Sequence, residues 1–93
     1  MDFSKALKHL KDGERIARKG WNGKGMFIFI ARPLAMISST EASKALENEG
    51  ADTILPCIAM FTADKKILLG WLASQTDMLA DDWGVIKSRK VKK

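Results

Sequence analysis

The sequence predicts an α+β fold: a small, mostly antiparallel sheet of about five strands with two or three short helices, oligomerising through its sheet faces. Short apolar segments of strand character predict it, together with the glycine- and asparagine-containing turns between them and a few stretches at helical spacing. The 93 residues, 46% hydrophobic and 29% charged, suit one ordinary globular domain. We expect that domain over residues 1–86, followed by a basic tail at 87–93.

The first part of the chain predicts a helix and two strands. Apolar residues recur at helical spacing over residues 3–12. Residues 15–18 place two apolar residues between two arginines, which indicates a short strand, and residues 26–31 indicate a second strand that is apolar on both faces. The Asn22 and Gly23 pair in the loop between them favours a type I′ hairpin turn.

The middle of the chain predicts a peripheral helix and a further apolar strand. Ser38 and Glu41 stand at the capping-box spacing, so we expect a modest helix over 39–48. Residues 55–62 are strongly apolar and predict a strand, with Pro56 tolerated at its first position because no ladder donor is needed there.

The last part of the chain predicts a hairpin partner, a short helix and a final strand. Residues 63–66 make the turn into a strand over 67–72. Ser74 is the expected N-cap of the helix, with the acid Asp77 three residues later. Residues 83–86 predict the final strand.

The apolar sheet exceeds what the predicted helices can cover. Two strands, 26–31 and 55–62, are apolar on both sides, and only a few short helices are available as cover. Leaving the apolar side chains of these strands in water would lose about 25 cal/mol of stabilising free energy per Å² of apolar area. We therefore expect a homo-oligomer in which a second sheet covers them; the alternative is a monomer whose twisted sheet folds back on itself.

The net positive charge of the chain comes from the C-terminal tail and not from the rest of the chain. There are 16 basic and 11 acidic residues, and five of the basic ones lie in 87–93, so the remaining body is neutral. A nucleic-acid interface normally needs a basic face on the fold itself. We expect a solvated tail, and the alternative function is a small adaptor that binds nucleic acid or protein through this tail.

The sequence predicts neither a membrane protein nor a secreted one. No apolar run approaches the roughly 18 residues of a membrane helix. The first residues lack the basic flank and apolar segment of a secretory signal. The single cysteine, Cys57, cannot form an internal disulfide. We expect a soluble protein of the cytoplasm with no membrane partner.

Catalytic and metal-binding constellations are scarce. His9 and Cys57 are the single histidine and cysteine, one on a helix and one in an apolar strand, and the chain has no tyrosine. No set of cysteines and histidines has zinc spacing. The adjacent Asp81 and Asp82 are expected to point apart, as in a solvated turn. We expect no catalytic residue, metal or cofactor, and a protein that is not an enzyme.

Recognition chemistry is better represented. Trp21 lies in a glycine-flanked loop and Trp71 follows a glycine near a strand end, and a flat indole is a surface on which a nucleobase can stack. Arg18 and Lys24 flank the first loop and offer counter-charge to an anion. The turn after Trp71 concentrates donors, acceptors and helix N-terminal amides in Ser74, Gln75, Thr76 and Asp77.

Ordinary core packing is the alternative role for each tryptophan. Both roles stay open for Trp21 and Trp71. Trp83 is expected to be packed, because Leu79 lies four residues before it and side chains at that spacing meet on one helical face.

Two long motifs contain most of these candidate residues. The first is the run Arg-Lys-Gly-Trp-Asn-Gly-Lys-Gly over 18–25, and the second is Trp-Leu-Ala-Ser-Gln-Thr-Asp over 71–77. Together with residues 55–60 and the first helix, they resemble the Thoeris anti-defense 2 family of small phage and prophage proteins. The resemblance covers nearly the whole chain up to Trp83 and thins over 33–53.

The resemblance implies a sponge. Members of this family are taken to bind the cyclic ADP-ribose isomer that an infected bacterium's Thoeris sensor makes, which keeps the effector silent without destroying the signal. The family is described as assembling into homotetramers with ligand pockets between subunits, and some relatives also capture cyclic oligonucleotides at separate sites. Carried over by motif position, the implied ligand-binding residues are Trp21, Asn22, Trp71, Ser74, Gln75, Thr76 and Asp77.

The chain also departs from the family pattern. It carries the basic tail, and Phe61 stands where a polar residue is expected on an exposed strand. The segment over 33–53 differs as well, and a lining loop there would change the shape of the pocket and the preferred ligand.

Overall fold

The computed structural model describes residues 1–21, 25–32, 44, 48–50 and 54–87. Over these residues the fold is a five-stranded antiparallel sheet with two helices, which confirms the predicted α+β class. The predicted helix over 39–48 lies mostly outside the described residues, and the turn at 22–23 lies wholly outside them. The elements are α1 (Phe3–Lys11), β1 (Arg15–Arg18), β2 (Phe27–Ala31), β3 (Cys57–Phe61), β4 (Ile67–Leu69), α2 (Gln75–Leu79) and β5 (Trp83–Ile86).

The strand order brings the two ends of the domain together. The sheet runs β4-β3-β2-β1-β5, and each neighbouring pair is antiparallel. In the β1–β5 pair Arg18 stands opposite Trp83, and Ile16 stands opposite Val85. The loop that follows β1 therefore lies next to the segment that joins α2 to β5. The candidate site lies at this end of the sheet.

Helix α1 covers one face of the sheet. The helix begins at an N-cap, where the Asp2 carboxylate accepts the backbone N–H of Lys5 at 2.9 Å. Burying a leucine or isoleucine side chain contributes about 1.5–3 kcal/mol. The buried cluster between helix and sheet consists of Ala6, Leu10, Ile16, Ile28, Met60 and Trp83.

In the described part of the chain, neither helix is long and apolar enough to cross a membrane.

On the opposite face of the sheet, the described residues leave several large apolar side chains partly or fully exposed. Side chains alternate along a strand, so this face, which we call the open face, carries Phe27, Phe29, Phe61, Ile67, Leu69 and Ile86. The Phe27 and Phe61 rings stack with centroids 5.0 Å apart, and the Arg15 guanidinium lies 4.6 Å from the centroid of Phe27. A cavity of about 740 Å³ opens over this face.

Strand β4 is shorter than predicted. It ends at Leu69 and not at residue 72, because Gly70 adopts a φ of +85°, a left-handed conformation that interrupts extended pairing. The amides of Gly70 and Trp71 both donate to the carbonyl oxygen of Ile58, at 3.0 and 2.8 Å. Trp71 therefore lies beside β3, on the segment that leads into α2. Strand β3 is also shorter than expected, since it begins at Cys57, directly after Pro56.

The predicted contact between Leu79 and Trp83 is wrong, although Trp83 is packed as expected. Helix α2 ends at Leu79, so the helical spacing does not extend to residue 83. Leu79 is 84% exposed, whereas Trp83 begins β5 and is 3% exposed. The ring of Trp83 packs instead against Phe3 of α1, with centroids 5.3 Å apart.

Candidate functional site

Three indoles meet at the end of the sheet near α2, and we call Trp21, Trp71 and Trp83 the indole cluster. Trp21 lies edge-to-face against Trp83 with ring centroids 5.3 Å apart, and against Trp71 with centroids 6.1 Å apart. Trp71 and Trp83 are 6.4 Å apart in the same type of contact. Such aromatic pairs contribute about 0.5–1.5 kcal/mol beyond the area they bury. Trp83 is buried, while Trp21 and Trp71 each keep part of their surface in solvent.

The Asp77 carboxylate orients one of these indoles. Its Oδ1 accepts Nε1–H of Trp21 at 3.1 Å and Nη1–H of Arg18 at 2.9 Å. The backbone carbonyl of Asp77 accepts Nε1–H of Trp83 at 3.0 Å. Among the described residues, none accepts a hydrogen bond from the indole N–H of Trp71.

The charge state of Asp77 follows from these contacts. Its side chain is 13% exposed, and burial by itself raises the pKa of the carboxyl. The hydrogen bonds from Arg18, Trp21 and Ser74 outweigh burial, so the pKa of Asp77 lies below its ordinary value. The group is a carboxylate near neutral pH, with its lone pairs directed at donors from three parts of the chain.

Arg18 links two carboxylates, and we call Arg18, Asp77 and Asp82 the Arg18 bridge. Its Nε donates to Asp82 Oδ1 at 2.8 Å and its Nη1 donates to Asp77 Oδ1 at 2.9 Å. The hydrogen bond from Arg18 lowers the pKa of Asp82, and Asp82 in turn raises the pKa of Arg18, as does Asp77. The Arg18 side chain is 14% exposed, and its Nε and Nη1 donors both bind carboxylates of the same chain.

Helix α2 begins with a capping box, as the sequence predicts. The Ser74 hydroxyl accepts the backbone N–H of Asp77 at 3.0 Å, and Asp77 Oδ2 accepts the backbone N–H of Ser74 at 3.1 Å. The box occupies two amides that would otherwise be open to an anion. The side chains of Ser74, Gln75 and Thr76 are exposed on the same turn, where their hydroxyl and amide groups can contact a ligand.

The structure therefore brings four predicted site residues into direct contact, namely Arg18, Trp21, Trp71 and Asp77. The remaining three described ones, at 74–76, are adjacent to them on the capped turn. Asn22 and Lys24 lie outside the described residues.

Sequence reasoning missed Asp82. It accepts hydrogen bonds from Arg18 and from the backbone N–H of Gly20, at 2.8 and 2.7 Å, and it was expected to be a solvated turn residue. Its partner Arg18 is 64 positions away in the chain, so no local pattern predicts the contact. Over the described ranges, no three His, Cys, Asp or Glu side chains converge in a way that could hold a metal ion.

Comparisons with known proteins find similarity that extends over the residues of this site. The family model of the Thoeris anti-defense 2-like domain matches residues 1–86. A curated protein named Thoeris anti-defense 2, from Bacillus phage SP01, is 40% identical to the chain over 86 residues, which are 92% of this chain and 94% of that protein. The family match includes every element from α1 to β5, and with them the indole cluster and the Arg18 bridge.

Proposed function

The chain belongs to the Thoeris anti-defense 2-like family, and we propose that it is a non-catalytic sponge that sequesters a cyclic ADP-ribose-type signalling nucleotide. Membership supports a role against the Thoeris defence. In the proposed mechanism the protein works in the cytoplasm of the infected bacterium, binds the signal and releases no product. The effector that the signal would activate then stays silent.

The observation that carries the proposal is the placement of two partly exposed indoles beside an exposed polar turn. Trp21 and Trp71 lie edge-to-face, and each keeps part of its side chain in solvent, where an adenine can stack. The turn at 74–76 offers hydroxyl and amide groups suited to ribose and pyrophosphate oxygens. A ligand with one base, two riboses and a pyrophosphate needs this combination of a flat apolar surface and several hydrogen-bonding groups.

The charged residues have two roles in the proposal. Arg18 and Asp77 bind each other, and Asp77 also accepts the indole N–H of Trp21, so the pair contributes mainly by fixing the site, while the charge of Arg18 is balanced by Asp77 and Asp82. Asn22 and Lys24, on the loop after Trp21, are proposed as direct contacts on the basis of the family motif alone.

A sponge needs high affinity, because each pocket removes one molecule and does not turn over. A nanomolar dissociation constant corresponds to about −12 kcal/mol. Stacking supplies roughly 1–3 kcal/mol per base. The rest has to come from phosphate contacts and from burial of the ligand. We propose that a homotetramer supplies this burial by closing the partly exposed site with a second subunit.

Isothermal titration calorimetry with a set of cyclic ADP-ribose isomers tests the proposal, followed by chromatography of the recovered ligand. We expect at least one isomer to bind tightly and to be recovered unchanged. Trp71→Ala should weaken binding roughly tenfold or more while the far-UV circular dichroism stays the same, because one stacking surface is lost. Leu55→Ala, which shortens an exposed apolar side chain outside the site, serves as the control and should bind like wild type.

Three results would contradict the proposal. Absence of binding by every isomer at micromolar protein would remove the sponge function. New products in the recovered ligand would indicate a hydrolase. Unfolding of the Trp71→Ala variant would indicate that this indole serves packing.

A further inference from the structure

Asp82 holds three successive positions of the loop that carries Trp21. Its Oδ1 accepts Nε–H of Arg18 at 2.8 Å, and its Oδ2 accepts the backbone N–H of Gly20 at 2.7 Å. Its backbone carbonyl accepts the N–H of Lys19 at 3.2 Å. Asp82 thus holds residues 18–20 with both of its carboxylate oxygens and with its backbone carbonyl.

The backbone of the loop approaches the Asp82 carboxylate closely at Gly20. A Cβ atom there would lie 2.9 Å from Asp82 Oδ2 and 3.2 Å from Nη2 of Arg18, so a side chain at this position would displace the ends of these two side chains. The backbone therefore lies directly against the carboxylate. Trp21 directly follows Gly20, so the backbone conformation that Asp82 fixes at residues 18–20 also restricts the position of Trp21.

A second connection reaches the Trp21 indole itself. Arg18 spans from Asp82 to Asp77, and Asp77 Oδ1 accepts Nε1–H of Trp21. The backbone on one side of Trp21 and the ring nitrogen on the other are therefore both tied to the Arg18 bridge. Edge-to-face contacts with Trp71 and Trp83 complete the fixation.

We infer that Asp82 is a positioning residue, which fixes the Trp21 indole in its binding orientation before a ligand arrives. The inference rests on the proposed function, since it gives the fixed indole a ligand to receive. Holding a binding group in its bound geometry removes the entropy cost of ordering it on association. Asp82 itself needs no ligand contact, because both oxygens of its carboxylate are already occupied.

Asp82→Asn tests the inference with almost no change of shape. An asparagine has one acceptor oxygen, so its amide NH₂ faces a donor in either orientation, and the hydrogen bond to Arg18 or to Gly20 is lost. The matched control is Asp81→Asn, which makes the same change of charge one residue away on an exposed side chain. Asp82→Glu restores the charge and should recover part of the effect.

Two measurements are made on each folded variant. In ¹⁵N-labelled protein the indole N–H resonances of the tryptophans are recorded, each assigned by a Trp→Phe variant. In Asp82→Asn we expect the Trp21 resonance to shift or broaden more than the Trp83 resonance, since the Trp21 N–H donates to the Asp77 carboxylate that Arg18 holds, whereas the Trp83 N–H donates to the backbone carbonyl of Asp77. Calorimetry with the cyclic ADP-ribose isomer that wild type binds best should show about a tenfold weaker affinity.

The outcomes separate this inference from the proposed function. An unchanged Trp21 resonance in Asp82→Asn overturns it, and so does a shifted resonance with wild-type affinity. Equal changes at all three indoles would indicate general destabilisation and also overturn it. If wild type binds no isomer, the proposed function fails, while the indole resonances still decide whether Asp82 positions Trp21.

If Asp82→Asn does not fold, Arg18→Lys replaces it. A lysine keeps the positive charge but has one ammonium group, which cannot reach both carboxylates as the guanidinium does. The same shift of Trp21 relative to Trp83 is expected, and its absence would overturn the inference.

Discussion

Asp77 accepts hydrogen bonds from three separate parts of the chain. Arg18 ends β1, Trp21 lies on the following loop, and Ser74 precedes α2, yet all three donate to one carboxylate. The carbonyl of the same residue binds the Trp83 indole. The geometry of two indoles therefore depends on charged and polar hydrogen bonds as well as on packing, which makes it sensitive to single changes of charge.

Acid is expected to remove part of the stability that these carboxylates provide. Folding lowers the pKa of Asp82 through Arg18, and it lowers the pKa of Asp77 because hydrogen bonds outweigh the opposite effect of burial. A carboxyl whose pKa is lowered by folding stabilises the fold fully above its unfolded pKa, and this contribution is lost as the pH falls through the folded pKa. We expect the Tm to fall below about pH 4, where an unfolded aspartate becomes protonated.

Thermal unfolding followed by circular dichroism at steps from pH 7 to pH 2.5 measures this dependence. Asp82→Asn should start with a lower Tm and lose less of it in acid, because the carboxylate that becomes protonated is absent. Asp81→Asn should follow wild type, since the Asp81 side chain is exposed. An equal acid-induced loss in wild type and Asp82→Asn would contradict the assignment.

At the scale of elements, the sequence pattern predicts a helix or strand correctly where residues close together in the chain determine it. The apolar pair between two arginines predicts β1, and the spacing of Ser74 and Asp77 predicts the start of α2. The error at β4 has a local cause too, because Gly70 was treated as part of a strand although it adopts a positive φ. The sequence shows that a glycine is present but not which conformation its neighbours impose on it.

The contacts of the site could be predicted only in part. The sequence nominates the residues in the two motifs, but it does not show that Arg18 is occupied by two carboxylates. Adjacent acids resemble a solvated turn, and only the pairing of β1 with β5 places Asp82 against Arg18 and leaves Asp81 exposed. Such long-range pairings depend on the register of the whole sheet.

The capping box of α2 makes a specific contribution to stability. Ser74→Ala removes the hydroxyl that accepts the Asp77 amide, and losing an N-cap costs about 1 kcal/mol. We expect urea unfolding to show this loss, together with weaker ligand binding, because the turn at 74–76 is held by the same box.

Ser4→Ala is the matched control for this change. Ser4 is exposed inside α1, where it is not the N-cap, so the same substitution should leave the free energy of unfolding nearly unchanged. Ser74→Thr keeps a capping hydroxyl and should retain most of the stability. Equal stability of Ser74→Ala and Ser4→Ala would contradict a structural role for the box.

At the scale of the whole molecule, the sheet separates two surfaces. The face that α1 covers carries the indole cluster at its end, and the open face carries three phenylalanines and several exposed aliphatic side chains. Apolar surface of this kind is usually covered by another protein surface. A second copy of the chain is the occupant that agrees with the proposed tetramer. It would place the indole clusters of different subunits in one assembly.

Strand β4 offers a sharp test of this arrangement. Leu69 and Leu68 are neighbours with 51% and 52% exposure, but Leu69 lies on the open face and Leu68 on the opposite face. If the open face joins subunits, Leu69→Glu places an unpaired charge in a buried apolar contact and should dissociate the assembly. Light scattering after size-exclusion chromatography should then show a smaller mass for Leu69→Glu than for wild type and Leu68→Glu. Dissociation by Leu68→Glu alone would place the contact on the helix side of the sheet, and a monomeric wild type would mean that the open face is not a contact between copies of the chain.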